Sequence, residues 1–271
     1  MNTGNKGRLS VVGIGPGDPD HITPAALRVI RDSEVIVGYT TYIDLIRGLI
    51  KDKEIITAGM TQEVQRCRKA IETASQGRAV AVICSGDPGI YAMAGLVFEL
   101  IEKGLQVEGG SSDQELAPET GTTEFDIEVI PGIPALSSCA SRLGAPLMHD
   151  FASISLSDRL TPWEKIESRL HAAAGADFVI VIYNPKSRGR KDHLERAIGI
   201  IAKYRKSDTP VGIVKAAMRE EEKVIITTLG SVPFEEVDMQ STVIIGNNRT
   251  FIRDGRIVTP RGYGDKYELG S

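Results

Sequence analysis

Short segments rich in apolar residues recur along the chain, separated by stretches in which apolar residues return every three or four positions. The runs fall at 9–14, 34–38, 55–56, 78–84, 127–130, 152–156, 178–183, 211–214, 224–228 and 242–245. The run that follows Arg78, Ala79-Val80-Ala81-Val82-Ile83-Cys84, is unbroken, which is how a strand buried on both faces reads. The three-and-four spacing marks half-buried helices over 62–76, 93–101, 135–143, 163–173 and 194–202, and 24–32 and 41–50 read as two more. Thr23-Pro24 predicts a capped helix start with proline at the first helical position. Thr161-Pro162-Trp163-Glu164 reads as a capping box of the same kind. Asp254-Gly255 inside 251–258 predicts a hairpin turn.

The first half alternates strand and helix, whereas the second ends in consecutive strands. That order predicts two α/β domains, the first with a mainly parallel sheet and the second with a mixed one. The boundary is expected in Pro131-Gly132-Ile133-Pro134, where two prolines and a glycine stiffen and turn the chain. Domains of 1–133 and 134–271 follow. Residues 108–124 differ in texture: acidic, rich in Gly, Ser and Thr, and nearly free of large apolar residues. They are expected to form a mobile surface loop inserted in the first domain.

Composition narrows the function classes. The net charge is −4 and aromatics make up 5 % of 271 residues, so neither a basic field nor a set of stacking rings points to nucleic acid. Cys67, Cys84 and Cys139 form no C-x-x-C, and His21, His149, His171 and His193 show no metal-ligand spacing. A reducing compartment and no protein-held metal are expected. No apolar run approaches the ~18–20 residues of a membrane span. The segment 1–8 is polar without a signal-type apolar core. A cytoplasmic protein with no membrane partner is the expectation.

The chemistry is expected where strands end in glycine-rich turns. Gly13-Ile14-Gly15 begins a dinucleotide fingerprint, but its third glycine would fall at Asp18. With Asp20 nearby, that loop sets carboxylates where a pyrophosphate would sit. An adenosine-bearing ligand without phosphate suits it better. Two further turns, Ser85-Gly86-Asp87-Pro88 and Pro131-Gly132-Ile133-Pro134, end later strands, and Tyr183-Asn184-Pro185 ends another. Each turn alone also reads as a plain structural corner.

Taken in order with these turns, Gly38-Tyr39-Thr40-Thr41-Tyr42-Ile43-Asp44, Leu143-Gly144-Ala145-Pro146-Leu147-Met148-His149-Asp150, Thr161-Pro162-Trp163-Glu164 and Val258-Thr259-Pro260-Arg261-Gly262-Tyr263 make the chain resemble the tetrapyrrole methylase family, the class III S-adenosyl-L-methionine-dependent methyltransferases. The resemblance covers the chain except 108–124. It is strongest to the branch that methylates C17 of precorrin-3B or cobalt-precorrin-3, with ring contraction, in cobalamin biosynthesis.

This resemblance implies a homodimer with S-adenosyl-L-methionine in the cleft between two α/β domains. Carried over by position, the donor contacts are Pro16, Ser85, Gly86, Asp87, Ile90, Pro134, Ala135, Asn184, Ala217 and Thr242. Ring contraction needs proton transfers, for which Asp18, Tyr39, His149 and Asp150 are the candidates. Each has a structural alternative: a loop cap for Asp18, packing for Tyr39, a turn for His149 and Asp150. The substrate is a polycarboxylate, so Lys186, Arg188, Arg190 and Arg261 are expected to bind it. The alternatives are a related corrin-pathway methylase acting on another carbon, or a non-catalytic binding module of the same fold.

Overall fold

The computed structural model describes residues 6–59, 62–103, 125–187 and 189–268. The insertion 108–124 and Arg188 lie outside the described residues. The chain divides into two compact units, Met1–Pro134 and Ala135–Ser271.

In the first unit the order is β1 (Gly7–Gly13), α1 (Pro24–Asp32), β2 (Val35–Tyr39), α2 (Thr40–Leu45), β3 (Glu54–Ala58), α3 (Glu63–Ser75), β4 (Ala79–Cys84), α4 (Met93–Glu102) and β5 (Phe125–Ile130). The five strands form one parallel sheet in the order β3-β2-β4-β1-β5. The apolar runs of β2 and β4 are continuous because both faces are covered. Leu9, Val11, Val80 and Val82 pack with Cys67, Ala70 and Ala74 of α3 and Val97 of α4. Val12, Ala81 and Ile83 face the other way, onto Ala26 and Ile30 of α1 and Ile43 of α2.

Strand order positions the site. From β1 the chain crosses to β2 on one side; from β4, its neighbour, it crosses to β5 on the other. The two connections leave to opposite faces of the sheet, α1 on one and α4 on the other. Adjacent strands connected in this way leave a crevice at their carboxyl ends, the usual ligand position in open α/β sheets. Here that point lies between β1 and β4.

The second unit runs α5 (Ala135–Leu143), β6 (Gly144–Ala145), β7 (Phe151–Ser155), α6 (Trp163–Gly175), β8 (Val179–Tyr183), α7 (His193–Ile201), β9 (Pro210–Lys215), β10 (Lys223–Thr228), β11 (Ser241–Ile245), β12 (Phe251–Arg253) and β13 (Arg256–Val258). Its five-stranded sheet, β10-β9-β11-β8-β7, is mixed: β7 and β8 are parallel and the other pairs antiparallel. Helices α6 and α7 cover one face through Ile166, Leu170, Leu194 and Ile198. Helix α5 covers the other through Cys139, Ala140 and Leu143. Strands β12 and β13 form the expected hairpin, with Asp254 and Gly255 both at positive φ in the turn. No described helix is long and apolar enough to cross a membrane.

Two local expectations divide. Thr23 caps α1 as predicted, its Oγ1 accepting from the Ala26 N–H at 3.1 Å. Thr161 does not cap α6. The helix begins one residue later, with Pro162 as the capping residue and no side-chain cap bond. Pro162 sits at ψ 145°, outside the helical region, and its carbonyl takes the first N–H bonds, from Lys165 and Ile166.

All three cysteines are free and buried. Burial pushes the Cys67 and Cys139 thiols up to about 11 and Cys84 up to about 12. At pH 8 only roughly a thousandth of such thiols, or less, is thiolate, the reactive form. Native protein is therefore expected to resist a thiol-reactive disulfide reagent at pH 8, and to react fully once denatured. A fast-reacting cysteine in the native protein would contradict the burial.

Candidate functional site

In the first unit three loops converge at the carboxyl edge of β4, β1 and β5. Gly15 and Gly86 bridge the first two: the Gly86 N–H donates to the Gly15 carbonyl at 2.7 Å, and the Gly15 N–H donates back at 3.2 Å. Asp87 ties in the third. Its Oδ1 accepts from the Gly89 N–H at 2.8 Å and its Oδ2 from the Gly132 N–H at 3.2 Å. Contact is backbone to backbone: a Cβ on Gly132 would lie 2.2 Å from the Gly86 carbonyl oxygen, and one on Gly13 would lie 2.5 Å from the same atom. Pro16 is buried beside this junction, and Ser85 and Ile90 are half-buried on the β4 loop.

The junction's chemistry follows from its donors. The N–H groups of Gly15, Gly86, Gly89 and Gly132 are already bonded, and Asp18 Oδ1 takes the Asp20 N–H at 2.8 Å. A phosphate would meet few free donors and nearby carboxylates. The same surroundings suit a nucleoside that carries positive charge.

Of the candidate proton-transfer residues here, Asp18 caps the short 3₁₀ turn Pro19–His21, so its carboxylate already has a local role. Tyr39 ends β2, the strand beside β4, and packs edge-on to Tyr42 with ring centroids 5.3 Å apart.

In the second unit Asn184, Ala217 and Thr242 come to one edge of the sheet. Asn184 follows β8, Ala217 follows β9, and Thr242 opens the antiparallel β11 between them. Asn184 Nδ2 donates to Ser155 Oγ at 2.9 Å. The Leu136 N–H, one residue after Ala135, donates to Tyr183 Oη at 2.8 Å, so α5 starts at the same edge. The loop after β9 is held by Glu222, which accepts from the Met218 N–H at 2.7 Å and from Arg142 Nε at 2.7 Å.

Asn184, Ala216 and Met218, just beyond the carboxyl ends of β8 and β9, have positive φ, as does Tyr91 in the loop between β4 and α4. Such strain in non-glycine residues gathers at ligand sites. Spacing carries no signal for it, or for the Glu222 anchor.

The other candidates are placed differently. His149 and Asp150 precede β7, at its amino end, whereas Asn184 and Ala217 lie beyond the carboxyl ends of β8 and β9. The length of a strand, about 15 Å, separates the two edges. There the Asp150 N–H donates locally to His149 Nδ1 at 2.8 Å, and the Asp150 carbonyl accepts from the Val179 N–H at 3.1 Å, a bond that ties the start of β7 to β8. Lys186 Nζ donates to the Phe234 carbonyl at 2.9 Å. Arg190 is buried, with Nη1 on Ser157 Oγ at 3.2 Å and Nε unpartnered among the described residues. Arg261 is exposed beyond β13, on the three-stranded sheet.

Comparison with known proteins agrees with this architecture. The family model for tetrapyrrole (corrin/porphyrin) methylases matches residues 8–233. The chain is 51 % identical over 265 residues to the cobalt-factor III methyltransferase of Priestia megaterium, covering 97 % of this chain and 46 % of that protein. It is 49 % identical over 255 residues to the probable cobalt-factor III C(17)-methyltransferase of Salmonella typhimurium, covering 94 % and 99 %. The crystal structure of the methyltransferase CobJ superimposes with a TM-score of 0.84 at 32 % identity, over 94 % of this chain and all of that one.

Proposed function

This chain belongs to the tetrapyrrole (corrin/porphyrin) methylase family, and from that premise we propose that it methylates C17 of a cobalt-bearing tetrapyrrole, cobalt-factor III or cobalt-precorrin-3, in cobalamin biosynthesis. The similarity at 49 % identity over nearly the whole length of a C(17)-methyltransferase carries this reading. Two relatives named for cobalt-factor III favour the cobalt-bearing substrate over metal-free precorrin-3B. The metal then arrives as part of the substrate. Ring contraction accompanies the methylation in this reading.

When bound, S-adenosyl-L-methionine supplies an electrophilic methyl group on a sulfonium that departs as a neutral thioether. The first unit's junction fits it: no phosphate, a positive charge, and carboxylates nearby. Pro16, Ser85, Gly86, Asp87 and Ile90 hold it there, and Pro134 ends the same unit. In the second unit Ala135, Asn184, Ala217 and Thr242 are its proposed contacts, each testable on its own. An enamine-like C17 needs no strong base, so the protein's main task is alignment. Effective molarities of ~10⁵–10⁸ M are the scale of that benefit. Tyr39 ends a strand next to the junction and is better placed for proton transfer than His149 or Asp150, at the far edge of the second sheet. A homodimer is part of the proposal, and sedimentation tests it.

The deciding experiment is anaerobic incubation with S-adenosyl-L-methionine and, separately, cobalt-factor III, cobalt-precorrin-3 and precorrin-3B, read by mass spectrometry. A gain of one methyl group on a cobalt substrate is expected. A gain on precorrin-3B alone would reverse the choice of substrate. Donor binding with no methyl transfer to any of the three would favour a non-catalytic module or another acceptor carbon.

A further inference from the structure

Strands β7 and β8 are parallel neighbours, so the loops that follow them, 156–162 and 184–192, leave the sheet side by side at its carboxyl edge. The first loop is pinned at its base. The Leu156 N–H donates to the Tyr183 carbonyl at 2.9 Å. His193 Nε2 bonds Asp158 Oδ2 at 2.9 Å, and Arg190 Nη1 reaches Ser157 Oγ at 3.2 Å. The hydrogen bond from His193 holds the Asp158 carboxyl below its usual range. Trp163, at the far end of the loop, meets the His193 ring edge-on at 4.9 Å, and Arg196 stacks over the Trp163 ring at 4.0 Å.

Between these anchors the tip is bare. Leu160 is 98 % exposed. Arg159 beside it is exposed and makes no hydrogen bond or ion pair among the described residues. Singly exposed leucines are common and need no explanation. This one differs because buried and paired groups hold its loop in place, and because an unpaired guanidinium stands next to it. An apolar tip with an adjacent cation is complementary to a ligand that combines a large apolar ring face with peripheral carboxylates.

We infer that the 156–162 loop is a specificity element for the tetrapyrrole: Leu160 packs on the face of the macrocycle and Arg159 pairs with one of its side-chain carboxylates. Asp158, His193 and Arg190 act as positioning residues that hold the tip in reach. The inference rests on the methyltransferase reading for the identity of the ligand, but the loop can be tested without turnover. Trp163 is the chain's one tryptophan and stands at the base of the loop, so its fluorescence reports a ring bound there.

The test uses the full chain with Leu160→Asp, Arg159→Gln, Arg159→Lys and His193→Gln. Tetrapyrrole KM is measured with the cobalt substrate, donor dissociation by calorimetry, and uroporphyrin binding by Trp163 quenching. Leu160→Asp is expected to raise the tetrapyrrole KM by about tenfold or more, and Arg159→Gln by about tenfold. Donor affinity stays within twofold of the parent, roughly the noise of such comparisons. Arg159→Lys recovers part of the loss. His193→Gln raises the tetrapyrrole KM with kcat little changed.

Unchanged tetrapyrrole KM and unchanged quenching in both tip variants would overturn the inference. So would a Leu160→Asp protein that changes only its sedimentation, which would assign the tip to contact between subunits. If the parent methylates none of the substrates, the C17 reading falls; weaker uroporphyrin quenching in Leu160→Asp would still support the loop's role, and unchanged quenching would remove it.

Discussion

Gly132→Ala is expected to weaken S-adenosyl-L-methionine binding by about 100-fold and to destabilise the first unit by about 3 kcal/mol. The new Cβ would sit 2.2 Å from the Gly86 carbonyl oxygen, 2.7 Å from the Gly13 carbonyl carbon and 2.8 Å from its oxygen. All three atoms are backbone, so no side chain can rotate away. The loops after β1, β4 and β5 must separate, and the bond between the Gly132 N–H and Asp87 must stretch from 3.2 Å. Gly95→Ala is the control. It lies within α4 with nothing within 4 Å of the added carbon, so stability should hold or rise by about 0.5–1 kcal/mol. Calorimetric titration and thermal unfolding read both variants. Unaltered donor affinity in Gly132→Ala would show that the three-loop junction is not the donor site.

Arg205→Ala should lower the stability of the second unit by about 3 kcal/mol, and its unfolding temperature by about 10 °C. The Arg205 side chain is 1 % exposed and lies 3.1 Å from Asp177. Its Nη1 donates to the Ala174 carbonyl at 2.7 Å and its Nη2 to the Phe178 carbonyl at 3.2 Å. These are the carbonyls at the end of α6 and just before β8, so the guanidinium closes the turn between them. Burial lowers the Arg205 pKa and the Asp177 carboxylate counters it; the group stays charged. Alanine takes one donor from each of these carbonyls, although the Ala174 carbonyl keeps the Asp177 N–H at 3.2 Å. It also removes the cation beside Asp177 and leaves a cavity where the stem lay. Lysine keeps the charge but can serve only part of this fork-shaped set, so Arg205→Lys should fall between alanine and the parent. An alanine variant as stable as the parent would mean that water replaces the guanidinium at no cost.

The periodicity of apolar residues was enough to read most elements, because it is local. A strand buried on both faces must be apolar at every position, and Val80, Ala81, Val82 and Ile83 show this as two opposite layers in the structure. The Thr23 cap and the Asp254-Gly255 turn were equally legible, since each depends on two or three adjacent residues. Thr161 misled because a motif of the right letters does not say which residue takes helical φ and ψ. The short β6 carries too few residues for any period; it exists through pairing with β13.

The glycine turns and their carboxylates were visible as residue types, and so was the preference for a ligand without phosphate. That Gly13, Gly86 and Gly132 meet backbone to backbone was not visible, because they come from strands brought together only by the order β4-β1-β5. The same holds for His149 and Asp150. Their chemistry suited proton transfer, but the direction of β7 sets them at the edge away from Asn184 and Ala217. The sequence by itself determined which segments become strands and helices and which turns carry glycine and carboxylate, because short-range sterics and burial decide these. Only the tertiary structure decided which turns share an edge, and which distant side chains, such as Asp158 and His193, meet there. Those contacts depend on crossovers between strands, which leave no period in the chain.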